Sequence, residues 1–251
     1  MESCKKLNGP DGGNDLFGYN VDISDNYVII GAIHHDFNGI LNSGAAYIYK
    51  NSNDSWTQTA KLTCDVPIQN DNFGNSVTLT DDYAAVGMAG ADIESESNGK
   101  VFLFKRSDES WNHIQTMLPP VNKKYGNFGR IMSMSGDTLA IGFSMQDSLF
   151  SVQSGAVYVY KMLGNNCPHI STYYPKPQYS IRTGFGYALD LNDDYFIASV
   201  NLSEFGLRQA AYIGYVSTPQ INVSYDNYSN LPIDLSVYTE SGGDVTLSIE
   251  S

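Results

Sequence analysis

Short apolar runs, each four to seven residues long and separated by polar turns, recur along the chain on one spacing. A Phe-Gly pair opens each copy, at Phe17-Gly18, Phe73-Gly74, Phe128-Gly129 and Phe185-Gly186, and successive phenylalanines stand 56, 55 and 57 residues apart. Four and six positions after the Phe come apolar pairs on alternate residues: Val21/Ile23, Val77/Leu79, Met132/Met134 and Leu189/Leu191. Turn pairs follow at Asp25-Asn26, Asp81-Asp82, Gly136-Asp137 and Asp193-Asp194. A second apolar run ends fourteen positions after the Phe on Gly31, Gly87 and Gly142, with Ser199 in the fourth copy. A third run centres on Tyr47, Phe102, Tyr158 and Tyr212. No copy holds apolar residues at the 3, 4 and 7 spacing of a helix, and the period of two argues for strands. Self-similarity at a fixed period marks a repeat architecture.

Each unit thus reads as four antiparallel strands. In the first, Val21 to Ser24 and Tyr27 to Ala32 meet at Asp25-Asn26, a two-residue hairpin turn whose residues tolerate positive φ. The loop 33–43 leads to a third strand at 44–50, and the turn Asn51 to Ser55 to a fourth beginning at Trp56. So small a sheet cannot cover both its faces, and stacking sheets about an axis solves the problem. The expected fold is all-β, a β-propeller of four-stranded antiparallel blades, with four units visible and a complete ring of five to seven. The units are 17–72, 73–127, 128–184 and 185–225. Residues 1–16 read as the last strand of a preceding or closing blade, because Lys6-Leu7 stands before its Phe-Gly as Lys61-Leu62 does before the next. Residues 226–251 read as a hairpin turning at Ser241-Gly242-Gly243, either a closing half-blade or the start of a further β domain.

Composition narrows the function. At 251 residues and 42% hydrophobic the chain can bury a core. A net charge of −13 with no basic stripe argues against a nucleic-acid partner. No apolar run is long enough to span a membrane as a helix, and the first residues carry no signal-peptide core. Cys4, Cys64 and Cys167 show no metal-site spacing, and an odd number cannot all pair internally. His34-His35-Asp36 is the one cluster that suggests a metal or a catalytic role. Neighbouring residues of a strand face opposite ways, so a solvated loop is expected. His113 and His169 fall at non-equivalent positions. No nucleophile motif or phosphate-binding loop is present, and the turn carboxylates have Asx-turn explanations. The reading is therefore no enzyme, no cofactor and no metal.

With these residues in view, the chain resembles the FG-GAP family, the propeller repeat of integrin α subunits and many surface proteins. The motifs that carry the resemblance are FGYNVDISDNYVIIGAI, SGAAYIY and WTQTAKL in the first unit, recurring in order over 17 to 215. The Pro of the family's name is absent: Gly31-Ala32-Ile33, Gly87-Met88-Ala89 and Gly142-Phe143-Ser144 stand in its place. The calcium loop of metal-binding members is also missing, since the first hairpin is cut to two residues where calcium wants six to eight oxygens.

The resemblance implies a recognition or adhesion module on a cell or particle surface, with a protein or glycan ligand and the possibility of self-association through open blade edges. A lectin-like propeller, or an accessory propeller of a larger surface enzyme, are the alternatives. The loops between second and third strands, 33–43, 88–98, 143–154 and 200–209, differ most between units. Loops on a rigid scaffold are where recognition usually resides. The candidate ligand-binding residues on them are Asp36, Phe37, Asp92, Glu94, Glu96, Asp147, Phe150 and Phe205. The aromatic pairs Tyr47/Tyr49, Phe102/Phe104 and Tyr158/Tyr160 are read as core.

Overall fold

The computed structural model describes residues 4–10, 13–89, 92–93, 96–120, 127–144, 154–175, 184–200 and 210–216. Their regular structure is entirely β. The first sheet is a meander of β1 (Phe17–Ile23), β2 (Tyr27–Ala32), β3 (Ala45–Ser52) and β4 (Ser55–Leu62). The second contains β5 (Ser76–Leu79), β6 (Tyr83–Met88), β9 (Lys100–Ser107) and β10 (Ser110–Met117). A separate two-stranded hairpin, β7 (Asp92–Ile93) with β8 (Glu96–Ser97), lies within its β6–β9 connection. The third comprises β11 (Ile131–Ser135), β12 (Thr138–Phe143), β13 (Ala156–Lys161) and β14 (His169–Tyr173). The fourth has three strands among the described residues: β15 (Leu189–Leu191), β16 (Tyr195–Val200) and β17 (Ala210–Tyr215). These sheets are the blades of a β-propeller.

Apolar clusters sit between blades. Ile29, Ala46, Ile48 and Leu62 of blade one meet Phe73, Val77, Leu79, Val86, Phe102 and Phe104 of blade two. Equivalent clusters join blades two and three and blades three and four. Burying each large apolar side chain is worth about 1.5–3 kcal/mol, so these layers outweigh exposed cross-blade ion pairs such as Lys50–Glu109, where Nζ lies 2.8 Å from Oε1. The aromatic pairs read as core are buried.

The Phe-Gly turn is the clamp between blades. The backbone N–H of Phe73, Phe128 and Phe185 donates to the carbonyl of Ser43, Asn98 and Ser154, at 3.0 Å each time. The carbonyl after each Phe then approaches the preceding blade so closely that only glycine fits. A Cβ on Gly31, Gly87 or Gly142 would lie 2.1, 2.1 or 2.3 Å from the oxygen of Gly74, Gly129 or Gly186. On Gly44, Gly99 or Gly155 it would lie 2.1, 2.1 or 2.2 Å from the oxygen of Phe73, Phe128 or Phe185. These glycines recur because backbone meets backbone there.

Two expectations need correction. The turn at Asp25-Asn26 is closed by Ser24 N–H donating to Tyr27 O at 2.9 Å, but neither turn residue has positive φ. Positive φ is found instead at Asn53-Asp54 between β3 and β4, at 51° and 60°. Residues 4–10 carry no strand of their own, and Leu7 packs against the blade-one cluster around Tyr47. The turn carboxylates do more than shape their own turns. Asp81 Oδ1 accepts Ser24 Oγ at 2.6 Å and Asn26 N at 3.2 Å, while Asn26 Nδ2 donates to Asp81 Oδ2, linking blade one to blade two. Asp193 accepts Ser135 Oγ at 2.7 Å between blades three and four.

Candidate functional site

The β2–β3 connection of blade one is a small hairpin with few loose atoms. Asn38 and Gly39, at φ 53° and 81°, turn the chain between Phe37 and Ile40. Left-handed φ at both residues of an Asn-Gly pair is the signature of a type I′ turn. Phe37 N donates to Ile40 O at 3.2 Å and Ile40 N to Phe37 O at 3.0 Å. Phe37 N also lies 3.2 Å from Ser43 Oγ. Asp36, exposed, accepts Asn42 N–H on Oδ1 at 2.8 Å, so part of its carboxylate braces the loop. Asn42 Nδ2 donates to Asn70 Oδ1 at 3.0 Å, which ties the hairpin to the segment leading into blade two. Phe37 is half-buried, and Leu41 is 52% exposed at the rim.

The corresponding connection of blade two also builds a hairpin, pairing Asp92 with Ser97 and Ile93 with Glu96. Candidates Asp36, Phe37, Asp92 and Glu96 therefore sit on hairpins that join second to third strands of consecutive blades. Glu94, Asp147, Phe150 and Phe205 lie outside the described residues.

The histidines correct the sequence reading. His35 is buried rather than solvated, with Nδ1 3.0 Å from Asp15 Oδ2 and its ring edge-on to Tyr47 at 6.2 Å. It lies just past β2, where its N–H donates to Ala32 O at 3.2 Å and the turn directs the ring onto the blade-one cluster. His113 and His169 prove equivalent. His113 stacks beside Phe102 and Phe104 at 5.6 and 5.5 Å, His169 beside Tyr158 and Tyr160 at 5.6 and 5.4 Å. Each Nε2 meets a threonine three residues on, Thr116 at 3.0 Å and Thr172 at 2.8 Å. The signal was available: each stands two residues after its unit's Trp111 or Cys167.

The sequence reading also passed over a central cavity of about 250 Å³ lined by the first strands of the blades. Its polar residues, among them Asn20, Asp22, Thr78, Ser133 and Asp190, alternate with the apolar pairs that define each unit. They are engaged with one another. Asp22 Oδ2 accepts Thr78 Oγ1 and Leu79 N, both at 2.8 Å, and Asp190 Oδ1 accepts Ser133 Oγ at 2.9 Å and Leu191 N at 3.0 Å. At the small end of ligand-pocket volumes, with its carboxylates already bonded, the cavity serves the joints between inner strands better than a guest.

Burial pushes the Cys167 thiol up to about 12 and raises Cys64 as well, so both stay protonated near neutrality, where thiolate is the nucleophilic form. Burial also raises Tyr160, with Cys167 adding to it. The three cysteines are unpaired, Cys4 exposed and the other two buried. Among the described residues no three His, Cys, Asp or Glu side chains gather as a metal site.

The family model described as the FG-GAP repeat matches residues 2–49, 56–104 and 111–160. No curated protein matches the chain significantly. The second and third matched segments run from the outer strand of one blade, across the Phe-Gly turn, to the third strand of the next, so the sequence unit straddles the clamp described above. With more than half of its length matched in this way, the chain belongs to the FG-GAP repeat family.

Proposed function

We propose that the chain is a non-enzymatic recognition module that presents its β2–β3 and β6–β9 hairpins to a protein partner at a cell or particle surface. The observation that carries this reading is the Phe37–Ile40 hairpin. It is braced by Asp36, Ser43 and Asn70, yet it leaves Leu41 exposed beside the Asp36 carboxylate. A preorganised apolar residue rimmed by charge suits a contact surface, because little loop entropy is lost on binding. FG-GAP propellers commonly act as protein-binding modules, which supports the same reading.

The test is binding of the labelled chain to intact cells before and after treatment with protease or periodate. Leu41→Asp and Phe37→Ala should each weaken binding ~10-fold or more, while costing under ~1 kcal/mol of stability, as changes at exposed or half-exposed sites do. Loss of the cell-surface target on protease treatment supports a protein partner, and loss on periodate alone assigns the surface to glycan. Unchanged binding by both variants removes the hairpin from the contact.

A further inference from the structure

Among the described residues, blade four presents an apolar sheet face with no neighbour. Ile197 and Ile213 pair across β16 and β17 and are 46% and 72% exposed, with Tyr195 and Tyr215 paired beside them. Register identifies the face. The same positions hold Ile29 and Ile48 in blade one, Ala85 and Leu103 in blade two, and Ala140 and Val159 in blade three. All six are fully buried in the clusters between blades. This is the side on which each earlier blade carries the next.

A fifth Phe-Gly blade cannot seat there in the same way. Docking of the turn requires glycine at two positions of the receiving blade, where a Cβ would lie 2.1–2.3 Å from an incoming carbonyl oxygen. Blade four has Ser199 at the first position, paired with Ala211 as Gly31 is with Ala46. The Ser199 hydroxyl is already engaged, accepting Ala188 N–H at 2.9 Å. At the second position the sequence has Gln209. The apolar face is retained while the socket for a further repeat is closed.

We propose that this face is covered by the chain's own segment 217–251, docked as a capping β-hairpin and not as a fifth blade. The segment follows directly on Val216, which is buried in blade four, and lies outside the described residues. Its sequence alternates strictly around Ser241-Gly242-Gly243: Ile233, Leu235 and Val237 on one arm, Val245, Leu247 and Ile249 on the other. The residues between them include Asp234, Ser236, Thr246 and Ser248. Period-two alternation gives such a hairpin one apolar and one polar face. The middle strand of an interior blade is different: β12 is buried on both sides along its whole length. A sheet apolar on one side only can end a stack but cannot continue it, which is the property of a terminal cap. The fourteen residues 217–230 span up to ~45 Å extended, enough to carry the chain from the end of β17 onto the face.

Hydrogen–deuterium exchange on the full 251-residue chain, with its mass followed by sedimentation, tests the proposal. Amides of 233–238 and 245–249 should exchange at least ~10-fold slower than free peptide in a monomeric protein. Ile213→Lys should abolish that protection, whereas Val21→Lys, on the exposed face of blade one, should leave it intact. Leu247→Asp, which alters only the cap, should accelerate exchange of β16 and β17 and keep blade one protected, and so covers the case in which Ile213→Lys misfolds. Exchange of 233–249 at free-peptide rates in the wild type overturns the cap. So does protection that Ile213→Lys leaves unchanged. Concentration-dependent association abolished by Ile213→Lys assigns the face to a second copy instead, and equally overturns it.

Discussion

Gly18 and Gly74 form a matched pair for measuring what the Phe-Gly clamp is worth. Both have φ +91°, so an alanine at either bears the same left-handed penalty, about 1–2 kcal/mol. Their surroundings differ. A Cβ on Gly18 meets nothing within 4 Å, whereas on Gly74 it lies 2.4 Å from the Ala45 carbonyl oxygen. A carbon–oxygen contact needs about 3.3 Å, so Gly74→Ala must open the first interface by about 1 Å. A gap of that size forfeits a quarter to a half of the dispersion well of the atoms it separates. Phe73, fully buried against Phe102 and Phe104, then loses packing on the scale of a core truncation, about 2–4 kcal/mol. Gly74→Ala should therefore cost at least ~2 kcal/mol more than Gly18→Ala, a further ~4–8 °C in melting temperature for a chain of this size. Equilibrium urea unfolding followed by tryptophan fluorescence reads the difference, since Trp111 stacks edge-on against Tyr27 at 5.5 Å across that interface. Equal unfolding midpoints for the two variants would refute the argument that the recurring glycines answer to close backbone approach.

Two further outcomes follow from the charges and thiols. Burial works to raise the pKa of Asp81, but its hydrogen bonds from Ser24 and Asn26, with Arg106 nearby, outweigh that and hold it below the ordinary aspartate value. A depressed carboxylate stabilises the fold above its unfolded pKa and loses that contribution as pH falls through the folded one. Unfolding midpoints should thus drop below about pH 4, and Asp81→Asn should lower stability at pH 7 while flattening the acid limb; an unaltered acid limb in that variant contradicts the cross-blade role. Iodoacetamide at pH 8 should label Cys4 alone in the native protein, because Cys64 and Cys167 are buried and held as thiols. Mass spectrometry showing Cys167 modified before unfolding would count against the packing described between blades two and three.

The repeat period, the strands, the turn positions and the burial of the aromatic pairs were legible in the chain because they are local. A period of two assigns each side chain to one face of its strand. What lies against a face is not local. Val21 and Ile23 read as the counterparts of Val77 and Leu79, yet the first pair is 62% and 65% exposed and the second buried, because among the described residues no blade stacks on the front of β1. His35 turned inward since its side of the chain happened to face Tyr47. The cross-blade bonds of Asp81 likewise appeared only when separate units were brought into contact. Of the candidate rim, the sequence marked the connections that vary between units. Tertiary structure then spent part of Asp36 on bracing its own loop and left Leu41 as the exposed apolar residue. The sequence alone determined which positions demand glycine or alternate in polarity, since those follow from backbone geometry. Only the stacking of blades decided which apolar faces find a partner, since burial depends on what a neighbour supplies.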